Sequence, residues 1–306
     1  MKTALIHFFG SPDVVAIGEA VPRDLKPYEA SVRVEVAGLN PLDVKIIAGY
    51  LQQVFPVTFP YAPGTDFSGV IDAVGAEVKN LKRGDRVVGR TAPGEGGAFA
   101  KNLMIAATDL FIIPAGMSFE QAAALPTAFG TSRQSLFDVG HLQPGQRVLI
   151  HAGAGGVGSM AVQQAHHAGA YVIATASAQN IALVKGLGAD EVIDYRSQDL
   201  TNVRNIDLVL DTIGGETLKK SWSVLADSGR IATLVEFGIK PQGAHAGESV
   251  FFESASPYLG QAIKMFTAGQ LQIIIDSIFP LDDARSALEK LTTGHARGKI
   301  LIRASV

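Results

Sequence analysis

The sequence has 306 residues, of which 47% are hydrophobic and 18% are charged, which is enough for about two globular domains. Its net charge is -3 and it has no dense cluster of Lys or Arg, so neither a nucleic acid nor a membrane surface is expected as a partner. It contains no cysteine, and its seven histidines lack metal-ligand spacing, so no metal site is predicted. No run of about 18 apolar residues predicts a transmembrane helix, and we expect a cytoplasmic protein.

The N-terminal region, up to about residue 120, has the pattern of short β-strands. The opening residues "MKTALIHFFGSPD" are interpreted as a first strand rather than a signal peptide, because His7, Pro12 and Asp13 interrupt the apolar run. Further strand-like runs follow, separated by Gly and Pro turns: "ASVRVEVAGL", "FSGVIDAVG" and "DRVVGR". We therefore predict a compact, mostly β domain.

From about Glu120 the pattern changes to alternating helices and strands. The segment "FEQAAALPTAFGTSRQSLFDVG" has helical spacing. Helical segments then alternate with the apolar runs "RVLIHA", "AYVIATAS", "EVIDY", "IDLVLDTIG" and "RIATLVE", which predicts a parallel sheet with helices on both faces. Past Phe251 we predict two more helices and a last strand, "GKILIR", that returns to the first domain.

A glycine-rich motif, "HAGAGGVGS", lies between the first strand and the first helix of this alternating region. Gly153, Gly155 and Gly158 satisfy the spacing G-x-G-x-x-G, and the strand-turn-helix context favours dinucleotide binding over a plain flexible turn. We assign the tight turn to Gly153, the approach of the pyrophosphate to Gly155, and helix-strand packing to Gly158. The predicted cofactor-binding residues of this loop are Gly153, Ala154, Gly155, Gly156, Val157 and Gly158.

The end of the next strand indicates which dinucleotide is bound. A protein that prefers NAD usually has Asp or Glu there, which holds the ribose 2'-hydroxyl, whereas this chain has Ser177. A hydroxyl can donate to a 2'-phosphate that a carboxylate would repel, so we predict NADP(H). The basic residue that usually accompanies such a site is missing, because Ala178 follows and the nearest bases in sequence are Lys185 and Arg196.

The chain resembles the zinc-independent quinone oxidoreductases of the medium-chain dehydrogenase/reductase superfamily. The matching stretches follow the family's order along nearly the whole chain: "GLNPLDVKIIAGY", "PGTDFSGVIDAVGAEVKNLKRGDRVVG", "GGAFAK", "LFDVGHLQPGQRVLIHAGAGGVG", "GADEVIDY", "DLVLDTIGGETL" and "GHARGKILI". The resemblance implies an α/β protein with a GroES-like, mostly β catalytic domain and a Rossmann domain with a doubly wound parallel sheet. We expect the catalytic domain at 1–120, completed by about 255–306, and the NADP-binding domain at 121–254, with the active site in the cleft and a homodimer as the assembly.

The resemblance also bears on zinc. The zinc-dependent branch has Gly-His-Glu where this chain has Gly64, Thr65 and Asp66, and a cysteine in the early loop where this chain reads Gly38-Leu39-Asn40. Because these positions lack the zinc ligands, the resemblance implies chemistry without a metal. The expected reaction is hydride transfer from NADPH to a quinone or a similar conjugated carbonyl, in which conjugation spreads the incoming charge to oxygen.

The catalytic residues that the resemblance suggests are Tyr50 and Asn40. Tyr50 follows the "NPLD" loop and is a candidate polariser or proton donor, although a tyrosine that only packs against the cleft fits equally well. Asn40 is expected to face the nicotinamide ribose or the substrate, and so counts as cofactor-binding too. Asp43 is expected to brace this loop through backbone N-H groups rather than to act in catalysis.

Three further residues have two interpretations each. Thr131 matches a threonine near the nicotinamide, or has only a role within its helix. Tyr195, at the end of "VIDY", matches a residue that packs beside the adenosine phosphate, or is an ordinary strand-end aromatic. Lys299 in "ARGK" could reach the cofactor or substrate, but a solvated charge is the expectation we adopt.

Two alternative functions stay open on the sequence. The first is an NADPH-dependent alkenal, enone or enoyl-thioester reductase, because "QQVFPVTFPY" and "FGIKPQGAHAGESVFFES", which are expected to shape the pocket, do not identify a substrate. The second is a non-catalytic NADPH-binding redox sensor, since a fold alone does not establish activity.

Overall fold

A computed structural model describes residues 1–21 and 23–304. The chain forms two compact units: unit 1 comprises Met1–Thr127, Glu253–Thr267 and Ile275–Val306, and unit 2 comprises Ala128–Phe252 and Ala268–Ile274. No helix in the described part of the chain is long and apolar enough to cross a membrane.

The fold contains fifteen strands and eight α-helices among the described residues. The strands are β1 Lys2–Leu5, β2 Ala16–Glu19, β3 Glu29–Gly38, β4 Asp66–Val74, β5 Arg86–Arg90, β6 Asn102–Ala106, β7 Leu110–Ile112, β8 Arg147–Ile150, β9 Tyr171–Ala176, β10 Glu191–Asp194, β11 Ile206–Asp211, β12 Leu225–Thr233, β13 Ala246–Ser249, β14 Ile275–Pro280 and β15 Lys299–Arg303. The α-helices are α1 Pro41–Ile47, α2 Phe119–Ala123, α3 Pro126–Arg133, α4 Gly156–His167, α5 Ile181–Gly186, α6 Gly215–Ser221, α7 Ser256–Thr267 and α8 Ala284–Thr292.

Unit 1 is built around a sheet with strand order β14-β15-β3-β4-β5-β7, to which β6 adds by pairing with β3. The last strand, β15, pairs antiparallel with β3, so the two ends of the chain share this sheet. The opening strand β1 pairs antiparallel with β2, so the predicted first strand is present. The alternation in β3 buries Ala30, Val32, Val34 and Val36, and the first three pack in the core of this unit.

Unit 2 is a six-stranded parallel sheet with the order β10-β9-β8-β11-β12-β13. The chain runs from β8 through β9 to β10 on one side and then crosses to β11 on the other side of β8. This reversal makes the carboxyl ends of β8 and β11 the topological switch point, where open α/β sheets bind their ligands. The predicted α/β architecture with a doubly wound sheet is therefore confirmed.

The helical segment that precedes β8 differs from the sequence prediction in its continuity. A single helical region was predicted, but the structure breaks it into α2 and α3 at Pro126, and residues Gln134–Val139 continue as a π-helix. Proline at the start of α3 explains the break, because its ring and missing N-H prevent α2 from continuing. Strands β13 and β14 were not predicted, and both lie at the edge of a sheet, where the hydrophobic pattern is weak.

Candidate active site

The candidate residues form two groups, one within each unit. In unit 2 the glycine-rich loop connects β8 to α4 at the switch point. Gly155 is the N-cap of α4 in an extended conformation and offers no side-chain oxygen to the first-turn N-H groups. Those N-H groups and the positive end of the helix dipole therefore form a site that suits a phosphate.

Two glycines of this loop, Gly153 and Gly158, have packing roles that differ from those predicted from the sequence. The left-handed residue of the turn is Ala152, with φ 52°, and not Gly153. Gly153 is required instead by close contact, since a Cβ there would lie 2.9 Å from the Cβ of Ala174. Gly158 packs against the loop rather than against the strand, because a Cβ added there would lie 2.1 Å from the carbonyl oxygen of Ala152. Any side chain at Gly158 would displace the loop that shapes this helix N-terminus.

The loop is anchored by a buried histidine that the sequence analysis missed. The His151 imidazole lies 2.9 Å from Ser221 Oγ through Nε2 and 3.4 Å from Thr175 Oγ1 through Nδ1. Burial lowers the pKa of His151 to about 4, against the opposing attraction of Asp211. The neutral imidazole therefore joins the end of β8 to β9 and α6. In the sequence, only the position of His151 at the end of the strand "LIHAG" indicated this role.

Ser177 and Tyr195 lie near each other at the carboxyl ends of β9 and β10. The backbone N-H of Tyr195 donates to the carbonyl of Ala176 at 3.2 Å, next to Ser177. Ser177 Oγ accepts from Asn180 Nδ2 at 3.1 Å, which leaves its own O-H available as a donor. The Arg196 guanidinium carbon is 5.6 Å from the centre of the exposed Tyr195 ring. Tyr195 therefore lies next to the end of β9 through its backbone, and its ring lies near the Arg196 guanidinium.

Thr131 lies in α3 of unit 2 and is buried. Its carbonyl oxygen accepts from Ser135 Oγ at 2.7 Å, and no hydrogen bond of the Thr131 hydroxyl occurs among residues 1–21 and 23–304. Its position is compatible with either interpretation of this residue, and its contact with a cofactor stays a prediction.

The unit 1 group centres on the buried carboxylate of Asp66. Its Oδ1 accepts from Thr127 Oγ1 at 2.6 Å, and its Oδ2 accepts from the Thr127 backbone N-H at 3.1 Å and from Asn40 Nδ2 at 3.0 Å. Two buried cations flank it, with Arg90 Nε 3.8 Å from Oδ1 and Lys299 Nζ 3.6 Å from Oδ2. Donors of this chain therefore surround both oxygens of Asp66.

Asn40 and Asp43 are tied together at the start of α1. Asp43 Oδ2 accepts the backbone N-H of Asn40 at 2.7 Å, which is the bracing role predicted for it. Burial raises the pKa of Asp43 to about 7, even though this backbone hydrogen bond favours the ionised form. Asp43 Oδ1 is buried without a hydrogen-bond partner in the described residues, which is consistent with a carboxyl that is easily protonated.

The sequence prediction for Lys299 was wrong, because its side chain is not solvated. Lys299 is 4% exposed, and Nζ donates to Leu39 O at 2.7 Å and to Asn40 Oδ1 at 2.6 Å. Burial lowers the pKa of Lys299, while Asp66 and Asp43 act in the opposite direction. The sequence did contain an indication of burial, because Lys299 is directly followed by the apolar residues 300–302 of a buried strand.

Tyr50 stands apart from this buried group. It follows α1, its side chain is 82% exposed, and its hydroxyl has no hydrogen-bond partner within the described ranges. The structure therefore brings Asn40, Asp43, Asp66 and Lys299 together, and leaves Tyr50 free to meet a ligand. Its catalytic role stays a prediction.

Two family models match the chain. An alcohol dehydrogenase GroES-like domain matches residues 26–115, and a zinc-binding dehydrogenase domain matches residues 187–302. The order of the two matches along the chain agrees with the domain order predicted from the sequence. The GroES-like match lies entirely within unit 1.

Individual proteins match over almost the whole chain. The chloroplastic quinone-oxidoreductase homolog of Spinacia oleracea is 31% identical over 99% of this chain and 99% of the relative. The 2-methylene-furan-3-one reductase of Solanum lycopersicum is 32% identical over 99% of this chain and 79% of the relative. The crystal structure of Escherichia coli quinone oxidoreductase complexed with NADPH has a TM-score of 0.88 and 28% identity, covering 99% of this chain and 100% of that one. With the fold, the glycine-rich loop and these full-length matches in agreement, this chain is an oxidoreductase that belongs to the quinone oxidoreductase family of the medium-chain dehydrogenase/reductase superfamily.

Proposed function

We propose that the protein transfers a hydride from NADPH to a quinone or a similarly conjugated carbonyl compound. The observation that carries this proposal is the uncapped N-terminus of α4 at the switch point, in a chain that is similar along its full length to a quinone oxidoreductase that binds NADPH. The bound dihydronicotinamide would supply the hydride. Residues 121–254 would then serve cofactor binding, and 1–120 with about 255–306 would serve the acceptor, within a homodimer.

The loop Gly153–Gly158 would bind the pyrophosphate through its backbone N-H groups. Gly153 and Gly158 allow the close approaches that shape the loop, and Gly155, Gly156 and Val157 lie at the start of α4 beside Ala154. Thr131 is proposed to contact the nicotinamide end of the same cofactor. These residues orient the cofactor and leave the chemistry of acceptor activation to unit 1.

The acceptor oxygen gains negative charge as the hydride arrives, so it needs hydrogen-bond donors. Asn40 is proposed to donate from its amide to this oxygen or to the nicotinamide ribose. Tyr50 is proposed to donate from its exposed hydroxyl, because a phenolic O-H is a hydrogen-bond donor. Such a reaction needs positioned donors and no strong base.

A preference for NADPH over NADH is proposed from the group at the ends of β9 and β10. Ser177 supplies a hydroxyl where a carboxylate would repel a 2'-phosphate, and Arg196 supplies the cation that the sequence near Ser177 lacks. Tyr195 lies beside both and is proposed to pack against the adenosine phosphate.

We propose that the reaction proceeds without zinc, although one matching family model is described as a zinc-binding dehydrogenase. Zinc in proteins is bound by the side chains of Cys, His, Asp and Glu, and the corresponding stretches here, Gly38-Leu39-Asn40 and Gly64-Thr65-Asp66, offer only the carboxylate of Asp66. Protein donors already engage both oxygens of Asp66, and the Lys299 ammonium 3.6 Å away would repel a divalent cation. The donor set therefore does not fit zinc.

A second candidate function is reduction of the carbon-carbon double bond of an enone. It is favoured by the similarity to 2-methylene-furan-3-one reductase, and a donor to the carbonyl oxygen would serve both reactions.

The test is oxidation of NADPH by the purified protein, followed in parallel with a panel of quinones and a panel of enones. The proposal predicts turnover that is faster with quinones and that falls in Tyr50→Phe. Faster turnover with enones would transfer the function to the second candidate. Tight NADPH binding without turnover by either panel would contradict both and favour a redox sensor.

A further inference from the structure

The buried ammonium of Lys299 has three oxygen atoms as partners. Nζ donates to Leu39 O at 2.7 Å and to Asn40 Oδ1 at 2.6 Å, and it lies 3.6 Å from Asp66 Oδ2. An ammonium has three donor hydrogens and no acceptor, and here two hydrogen bonds and one ion pair serve it. Since a buried charge is costly unless it is satisfied, this arrangement holds the Lys299 side chain in one position.

The same contacts determine which way round the Asn40 amide stands. Oδ1 faces the Lys299 ammonium, and Nδ2 donates to Asp66 Oδ2 at 3.0 Å. Turning the amide over would place its NH2 group against an ammonium and its oxygen against a carboxylate. Both new contacts would be repulsive, so the charges on either side permit a single orientation.

This orientation limits what Asn40 can offer a ligand. Its oxygen is already held by the charged Lys299, and one of its two amide hydrogens is used by Asp66. The remaining polar hydrogen is a donor, which matches a ligand oxygen that accepts a hydrogen bond. Two ligand groups have that chemistry in the proposed reaction: the carbonyl oxygen of the acceptor and a hydroxyl oxygen of the cofactor ribose.

The carboxylate that faces the amide nitrogen is held independently of Lys299. Thr127 donates to Asp66 through both its hydroxyl and its backbone N-H, and Arg90 Nε lies 3.8 Å away. Loss of Lys299 would therefore leave Asp66 in place and free the Asn40 oxygen.

We propose that Lys299 is a positioning residue, which fixes the Asn40 amide so that it presents an N-H donor to a ligand oxygen. This inference rests on the proposed role of Asn40 in the proposed function. It gives the buried cation of this chain the task of orienting a hydrogen-bond donor.

The test uses the absence of cysteine from the chain. Lys299→Cys can be alkylated at one place in unfolded protein and refolded, either with bromoethylamine, which restores an ammonium at nearly the original length, or with iodoacetamide, which adds a neutral group of similar size. Lys299→Met is the simple loss variant, and Lys82→Met is the control, because Lys82 is an exposed lysine of the same unit. NADPH affinity, kcat and KM for the acceptor, and the side-chain amide NMR signals of Asn40, assigned from their loss in Asn40→Asp, are measured for each protein.

We expect the Met and iodoacetamide forms to lose about 10- to 100-fold in kcat/KM, the bromoethylamine form to regain most of it, and Lys82→Met to be unchanged. The Asn40 amide signals should shift in the two neutral forms and return with the ammonium. A fall confined to NADPH affinity would identify the ribose hydroxyl as the ligand group, and a fall confined to the acceptor parameters would identify the carbonyl.

Wild-type kinetics and unchanged Asn40 signals in a folded neutral form would overturn the proposal, as would a folded bromoethylamine form that stays impaired. If Lys299→Met does not fold, the two alkylated forms and Lys299→Arg, which keeps a buried cation, decide the question by the same criteria. If the wild-type protein reduces no acceptor, the proposed function fails alone, and the Asn40 signals and NADPH affinity still test Lys299.

Discussion

Asp43 shows how burial couples the charge of a side chain to the stability of the fold. Its pKa is raised from 3.8 to about 7, mainly by burial, with Asp66 adding repulsion and the Asn40 N-H, Lys299 and Arg90 opposing the shift. Between these two pH values the folded protein holds a proton that the unfolded chain has released. The free energy of unfolding should therefore fall as the pH rises through this window.

Asp43→Asn should remove this pH dependence. The amide keeps an oxygen for the Asn40 N-H and places an uncharged group where Oδ1 lacks a partner. Urea unfolding of both proteins between about pH 4 and about pH 7 should show a variant that gains stability relative to wild type as the pH rises. A constant difference across the window would contradict the assigned pKa.

A second prediction concerns the role of Arg196 in cofactor preference. Arg196→Ala should raise the KM for NADPH about tenfold or more, because the proposed charge-assisted hydrogen bond to the 2'-phosphate would be lost, and should leave the KM for NADH nearly unchanged. Ser177→Asp is the complementary variant, since a carboxylate at the end of β9 should favour NADH. Equal effects of Arg196→Ala on the two cofactors would remove Arg196 from the 2'-phosphate site.

Among the secondary-structure elements, the junction of β8 and α4 depends on the absence of a side chain at Gly158. Gly158→Ala would bring a Cβ within 2.1 Å of Ala152 O, so the loop or the helix must move. We expect a loss of about 1–3 kcal/mol in the free energy of unfolding and a large loss of NADPH affinity, measured by denaturant unfolding and by fluorescence titration. Gly186→Ala is the matched control, because a Cβ on this α5 glycine meets nothing within 4 Å. Normal NADPH binding by Gly158→Ala would contradict the assigned shape of the loop.

The elements also show what local sequence can and cannot predict. Strands β8, β9 and β11 are apolar runs bounded by turns, so their positions and the glycine-rich loop could be predicted directly. The His151 contacts could not, because Ser221 is 70 residues away in the sequence and only the fold brings the two together. Edge strands β13 and β14 were missed because half-exposed strands carry little hydrophobic pattern.

At the scale of the whole molecule, the sequence predicted the class of fold and the family but not the buried polar group of unit 1. Asn40, Asp66 and Lys299 come from three distant parts of the chain. Lysine is almost never fully buried unless it is paired, so solvent was the reasonable expectation for Lys299. Its partners exist only because β15 returns to pair with β3, which brings the C-terminal strand to the residues that follow β3.

For the protein as a whole, we propose hydride transfer from NADPH to a conjugated carbonyl without a metal. The most direct measurement is the rate of NADPH oxidation by a quinone before and after metal removal by a chelator, with zinc added back and with NADH as the comparison cofactor. We predict an unchanged rate after chelation, no gain with zinc, and a preference for NADPH. Loss of turnover on chelation with recovery by zinc would contradict the proposal.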